Sequence, residues 1–344
     1  MILPASAGQS FRERISQIQI RLPNSFHQCY DMLFIIVQRL RIEKITSISI
    51  RRKGTSFGEF EDIFVDSDSC LEYLLKIRLG GSTLCPKCGS ETSFIKLRNF
   101  RRYIAKCCYD ASLSPLSGTF LSGSKISLDL WFRAILYFTN SPNGVSPNFL
   151  RRQLGISAKA SIRMCQLIRE HLSKIDATVQ LGRNGSTVFV AETTMKGISR
   201  IGQKNGVRFR ILLATDGSEF IVIPVATGPF ADSRNLLLDR VGPNTTLFTQ
   251  TDELRQKLLR HKSFLRAKSR PVLTAKDRDD KQFNFLSVTG IALKRFILQS
   301  HTWVSEQHLA GYVGHFTFLY RRRHRGAESF WDAVSHFPKF DHCT

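Results

Sequence analysis

The sequence predicts an α/β protein in which a small cysteine-bearing module and a helical segment precede a mixed-sheet domain. Three observations carry this prediction. Cys85-Pro86-Lys87-Cys88-Gly89 has the spacing of a metal-binding knuckle. Between residues 125 and 176, apolar side chains recur at helical spacing around an interruption at Gly155. Beyond residue 187, short β-branched runs alternate with longer helical ones.

Charge bounds the choice of partner. The 344 residues carry 50 Lys and Arg against 28 Asp and Glu, a formal net charge of +22. Such an excess favours a polyanion, and nucleic acid above all. The length allows two or three domains with a sizeable core. No apolar run reaches the ~18 residues of a membrane span, so no membrane partner is expected. Arg12, Glu13 and Arg14 come early, without a long apolar stretch before a small-residue cleavage site. An intracellular protein, cytoplasmic or nucleoid-associated, is therefore expected. In that setting a CxxC reads as metal ligation before it reads as a disulfide. Self-association is left open.

Residues 1–53 form a basic extension; its apolar run at 32–40 fits a helix or a strand equally, and no role follows from it. Residues 54–124 make the cysteine module. Asp66-Ser67-Asp68-Ser69 starts a helix that carries Cys70, Leu71, Leu74 and Leu75 on one face and ends near Gly80-Gly81. The CxxC follows directly, and Cys107-Cys108 comes later. Zinc takes four ligands in a tetrahedron, and a ribbon supplies two from each of two knuckles. Adjacent cysteines are expected to point apart and not to copy the second knuckle. Two readings stay open: zinc held by Cys85, Cys88 and one or both of Cys107 and Cys108, or a ribbon that has lost its zinc.

Residues 125–176 are helical. Leu128, Trp131, Phe132, Ile135 and Leu136 share a face, and Ser141-Pro142-Asn143-Gly144 breaks the chain. Helices at 147–154 and 157–172 then flank Leu154-Gly155-Ile156-Ser157. A short helix, a glycine turn, a serine cap and a second helix make a helix-turn-helix. Ser157, Lys159, Ser161 and Arg163 are expected on its polar, duplex-DNA-facing side. Ile162, Cys165 and Ile168 are expected on the buried side. Arg151 and Arg152 suit phosphate contacts. A plain three-helix bundle would give the same pattern.

A glycine-rich turn at 181–185 leads into residues 187–323. Strands are predicted at 188–190, 209–215, 220–225 and 245–249, with Asp216-Gly217 as a hairpin turn. Helices are predicted at 233–240, 252–261, 282–299 and 305–322. A strand, a hairpin, a helix, a fourth strand and terminal helices is the order of a ribonuclease-H-like fold. The tail at 324–344 is short and aromatic, and is expected to be peripheral.

Together these pieces resemble the DDE transposases of bacterial insertion sequences of the ISXO-like group, over residues 57–323. The resemblance rests on the helix running into Cys85-Pro86-Lys87-Cys88-Gly89, on Ser117-Gly118-Thr119-Phe120 with Trp131-Phe132, and on Gly144-Val145-Ser146 with Leu154-Gly155-Ile156-Ser157 and Ile168-Arg169. It continues through Val304-Ser305, His308-Leu309 and Tyr320-Arg321-Arg322. The resemblance implies three carboxylates holding two divalent metals for strand cleavage and transfer, since Mg²⁺ takes hard oxygen ligands. In the family pattern the first acid sits in a Val-x-Val-Asp-Glu-Thr strand; here that place is Ala191. The second ends the fourth strand, and is Gln250. The third lies on the late helix, in a register set by Asn284 and Lys294-Arg295, and is Ser287. All three places lack a carboxylate. Glu192 is adjacent to Ala191, but alternation along a strand turns it to the other face. No catalytic residue and no catalytic Mg²⁺ are therefore expected. The resemblance then implies a transposase-derived nucleic-acid-binding protein without the cutting chemistry. Two alternatives remain: an active transposase using displaced acids, and a structural subunit of a ribonucleoprotein.

Overall fold

The computed structural model of the chain describes residues 57–183, 187–197, 207–225, 237–242, 245–259, 269–271, 281–300, 304–325 and 328–340; the basic extension at 1–53 lies outside them. The first described segments are α1 (Phe57–Ile63) and α2 (Ser67–Arg78). The start of α2 follows from local chemistry. The Asp66 carboxylate accepts from the Ser69 N–H at 2.8 Å, and the Ser69 hydroxyl accepts from the Asp66 N–H at 3.2 Å. This reciprocal pair satisfies two amides that the helix itself cannot. Gly80 and Gly81, both at positive φ, turn the chain away from the helix end.

A small antiparallel sheet follows, in the order β1 (Phe94–Lys96), β2 (Tyr103–Ala105), β3 (Cys108–Leu113). Then come three helices, α3 (Leu128–Asn140), α4 (Pro147–Leu154) and α5 (Ala158–Ile175). Ser146 caps α4 and Ser157 caps α5, each hydroxyl accepting an amide of its own first turn at 3.2 Å. Gly155 ends α4 in the left-handed region at φ 64°.

The larger sheet has five strands in the order β6-β5-β4-β7-β8. These are β4 (Thr187–Gly197), β5 (Val207–Thr215), β6 (Phe220–Val225), β7 (Thr246–Thr249) and β8 (Ser269–Pro271). β4, β5 and β6 run antiparallel; β7 lies parallel to β4, and β8 parallel to β7. The turn between β5 and β6 forms as the sequence predicts. Asp216 accepts from the N–H groups of Ser218 and Glu219, and Gly217 takes φ 92°. Alternation sorts the central strand. Val188 and Val190 enter a core with Leu212, Leu247 and Leu254, the last on α6 (Asp252–Leu259). Phe189, Ala191 and Met195 face the other side, beneath α7 (Lys281–Ser300) and α8 (Glu306–Arg321). The molecule is thus mixed α/β with helices on both faces of the sheet. No helix among the described residues is long and apolar enough to cross a membrane.

The tail corrects an expectation. It is not peripheral: α9 (Glu328–Ser335) inserts Phe330, Ala333 and Val334, with Phe337 after it, into the core built by α1 to α5. Phe330 meets Phe60 edge-on at 5.4 Å between ring centroids. Its place is locked by charge as well. Arg322, at the end of α8, reaches Asp176 at 3.0 Å and Asp332 at 2.8 Å. Arg322 is buried, so removing either carboxylate would leave an under-compensated cation. The short aromatic tail reads as loose in sequence because partners such as Phe60 and Phe132 lie hundreds of residues earlier, where local pattern cannot point.

α8 also braces α5. A side chain built on Gly314 would collide with Ser173, its Cβ only 2.1 Å from that of Ser173, and Gly311 lies against Arg169. The two helices cross so closely only because α8 carries glycine there. Arg169 in turn donates to the Val145 carbonyl at 2.7 Å and lies over the Tyr312 ring, holding the approach to α4.

Candidate functional site

Four cysteines converge at one end of the small sheet. The sulfur atoms of Cys85, Cys88, Cys107 and Cys108 all lie within 4.8 Å of one another, and those of Cys88 and Cys107 are 3.4 Å apart. The first pair is held by a tight turn. The Gly89 N–H donates to the Cys85 carbonyl at 2.8 Å, the Cys85 N–H donates to that of Ser90 at 2.9 Å, and Gly89 sits at φ 71°. The second pair corrects the expectation that adjacent cysteines point apart. Ala105 pairs with Cys108 across the β2–β3 hairpin, so Lys106 and Cys107 form its two-residue turn. Cys107 is therefore outside the strand, and strict alternation does not govern it. The register shift between Ile104 and Ala105 re-aims the end of the hairpin, as bulges do.

Four thiols in this space fit a tetrahedral soft metal. Zinc at ~2.3 Å from each sulfur needs sulfurs about 3.8 Å apart, within the observed spread. The electrostatics suit it as well. Hydrogen bonds from the Ser90 backbone and hydroxyl, then from Cys107 and Cys108, bring the Cys88 thiol down to about 6. The hydrogen bond with Cys88, then desolvation, pushes the Cys108 thiol up to about 12. One sulfur ionises readily and holds protons on its neighbour; a divalent cation would relieve that conflict. The cluster could hold zinc with Cys85, Cys88, Cys107 and Cys108 as ligands.

A second candidate surface lies on α4 and α5. Arg151, Arg152, Lys159 and Arg163 are all exposed, the first two on the last turn of α4 and the others one turn apart on α5. Ser157 is exposed, with its hydroxyl engaged as the cap of α5. Two assignments change. Ser161 is buried at 1% exposure and donates to the Ala158 carbonyl at 2.8 Å. Ile162, expected inside, is 48% exposed. The reason is helical phase: the buried stripe runs Ser161, Met164, Cys165, Ile168, Leu172, and Ile162 falls ~100° away from it. Cys165 and Ile168 are buried as expected. The exposed face therefore carries Lys159, Ile162 and Arg163.

The third region is the sheet face below α7. Ala191 is buried on the central strand. Gln250 follows β7, its N–H donating to the Val190 carbonyl at 3.0 Å, and its side chain is exposed. Ser287 lies exposed on α7, next to Leu286, which shares a buried cluster with Ala191. The surroundings are aromatic. Phe189 stacks on Phe248 at 5.5 Å and meets Phe283 edge-on at 5.3 Å. Sequence reasoning did not single out these three rings; their signal was the phenylalanine two residues before each of Ala191 and Gln250. Glu192 is turned to the opposite face, 3.6 Å from Arg210. Asp216 is spent on its turn and Asp239 is exposed. Among the described residues, the cysteine cluster is the group of three or more metal-ligating side chains that converge.

No protein-family model matches the sequence, and no curated protein matches it.

Proposed function

We propose that the chain is a transposase-derived nucleic-acid-binding protein that has lost its cutting chemistry, built on a ribonuclease-H-like domain preceded by a zinc-ribbon-like module and a helix-turn-helix. One observation carries the reading. The places matching the family's metal-binding acids, Ala191, Gln250 and Ser287, belong to the central strand, the end of its parallel neighbour and the covering helix; Ala191 is buried among Phe189, Phe248, Phe283 and Leu286, while Gln250 and Ser287 are exposed. Mg²⁺ is held by carboxylate oxygens that also bring negative charge, and none of the three side chains is a carboxylate. The fold reading is supported by the order of elements: a strand, a hairpin, a fourth strand parallel to the first, and terminal helices. The binding reading is supported by the net charge of +22 and by the exposed Arg151, Arg152, Lys159 and Arg163 around the capped turn.

Duplex binding tests it. Fluorescence anisotropy at ~50 mM salt should show binding that weakens steeply as salt rises, because Lys and Arg displace condensed counterions. Lys159→Ala with Arg163→Ala should erode sequence preference more than total affinity. No binding to any duplex at that salt would overturn the reading.

A further inference from the structure

A cleft of about 480 Å³ opens at the end of the large sheet, away from the exposed Lys159 and Arg163 near the start of α5. Its walls come from Asp176 at the end of α5, the β5–β6 turn, the first turns of α7 and the chain leaving α8. The lining includes Arg321, Arg322, Arg323, His324 and Arg325, facing Phe285. Two of the arginines are structural. Arg321 pairs with Glu219 at 2.9 Å, and Arg322 is held by Asp176 and Asp332. The other two are not spent in this way. Arg323 is exposed, lies 4.3 Å from the Tyr320 ring centroid and donates to the Tyr320 carbonyl at 2.8 Å; it has no carboxylate partner among the described residues. Arg325 is 62% exposed and stands 3.8 Å from Asp332, a carboxylate already engaged by Arg322. Even with Asp332 counted beside Asp176 and Glu219, four arginines meet three carboxylates. An anion is the ligand that this excess invites.

We propose that this cleft binds a single strand of nucleic acid, with phosphates on Arg323 and Arg325 and a base against Phe285. The guanidinium fork matches phosphate oxygens in pairs, and the ring beneath Arg323 fixes its plane. Phe285 is half-buried; it rests edge-on against Phe220 at 5.7 Å and offers a ring to a base. Size selects the form. The volume lies in the ~300–1,000 Å³ range of small-ligand sites, enough for a nucleotide and too small for a duplex. The choice of nucleic acid over another anion rests on the proposed function; the site itself does not use the α4–α5 face.

The test is anisotropy of a labelled oligothymidylate at fixed low salt, beside a labelled duplex. Arg323→Ala with Arg325→Ala, both exposed, should weaken single-strand binding about tenfold or more while duplex binding changes little. Phe285→Ala should cost single-strand affinity roughly fivefold or more; Phe285→Leu checks that any loss follows the ring and not the packing. Thymidine monophosphate should compete better than inorganic phosphate. Lys159→Ala with Arg163→Ala should leave single-strand binding unchanged. Single-strand binding untouched by the arginine pair overturns the proposal, as does equal competition by inorganic phosphate or by polyglutamate. Single-strand binding by the unmodified protein with no duplex binding would instead strike the α4–α5 reading and leave this cleft standing.

Discussion

The cysteine cluster and the sheet face beneath α7 offer a metal opposite things. At the cysteines a CxxC and an adjacent pair bring four sulfurs within 4.8 Å of one another. On the sheet face Ala191, Gln250 and Ser287 bring no carboxylate. Ligation depends on which atoms arrive, not on which backbone device delivers them. A two-residue turn can do the work of a knuckle because it frees Cys107 from strand alternation. No backbone adjustment can supply an oxygen that Ala191 lacks.

The largest effect that could break this contrast lies at the cysteines. Purified protein should carry a single zinc, and Cys85→Ser with Cys88→Ser should remove it. Structural zinc sites contribute apparent binding free energies on the order of 10 kcal/mol, so the small sheet should open to proteolysis while the α1–α5 core stays protected. Elemental analysis with limited proteolysis checks both. Tightly bound zinc surviving the double change would show that the ligands are elsewhere. The pH dependence has a definite sign. Cys88 ionises at about 6 in the metal-free cluster, whereas Cys108 holds its proton to about 12. Metal must displace that proton, so apparent affinity should rise with pH across the neutral range and fall on acidification. Zinc competition with a chromophoric chelator at two pH values measures it.

On the sheet face the expected effect is a few kcal/mol. Ala191→Asp puts a carboxylate among Phe189, Phe248 and Phe283, and should destabilise by about 3 kcal/mol without rescue by Mg²⁺. The triple change Ala191→Asp, Gln250→Asp, Ser287→Glu should regain part of that loss when Mn²⁺ is added, because a ligand that binds only the folded state stabilises it. Thermal melts with and without Mn²⁺ decide. Metal rescue of the single change would mean that other oxygens already serve the site.

A smaller effect sharpens the same point, position against residue type, on α5. Ser161→Arg forces a long side chain into the buried stripe and should cost about 1–3 kcal/mol. Ile162→Lys, one residue on, should stay within ~0.5 kcal/mol. Denaturant midpoints of the two variants test the helical phase directly.

What was legible in the sequence was mostly local. The Asp66 and Ser157 caps, the Asp216-Gly217 turn and the helical stretches of α3 and α7 follow from chemistry within a few residues. What escaped was set by distant partners or by phase. Phe330 and Phe337 look like a loose tail until α1 and α3 are beside them. The three-residue strand β8 contains Pro271 and lies at the sheet edge, where pattern is weakest. A shift of one residue on a helix exchanges Ser161 for Ile162. The site was legible only in part: Cys85 and Cys88 announced themselves, but the approach of Cys107 and Cys108 depends on hairpin register. The Phe189, Phe248 and Phe283 cluster needed the sheet to bring it together.

The most direct measurement is strand cleavage. Supercoiled plasmid and linear duplexes incubated with the unmodified protein and Mg²⁺ or Mn²⁺ should show no nicking or joining above a buffer control. That outcome follows from a face on which Ala191, Gln250 and Ser287 bring no carboxylate for either metal. Metal-dependent nicking that co-purifies with the chain and disappears on Glu192→Gln would contradict the account and restore the chain to the active enzymes.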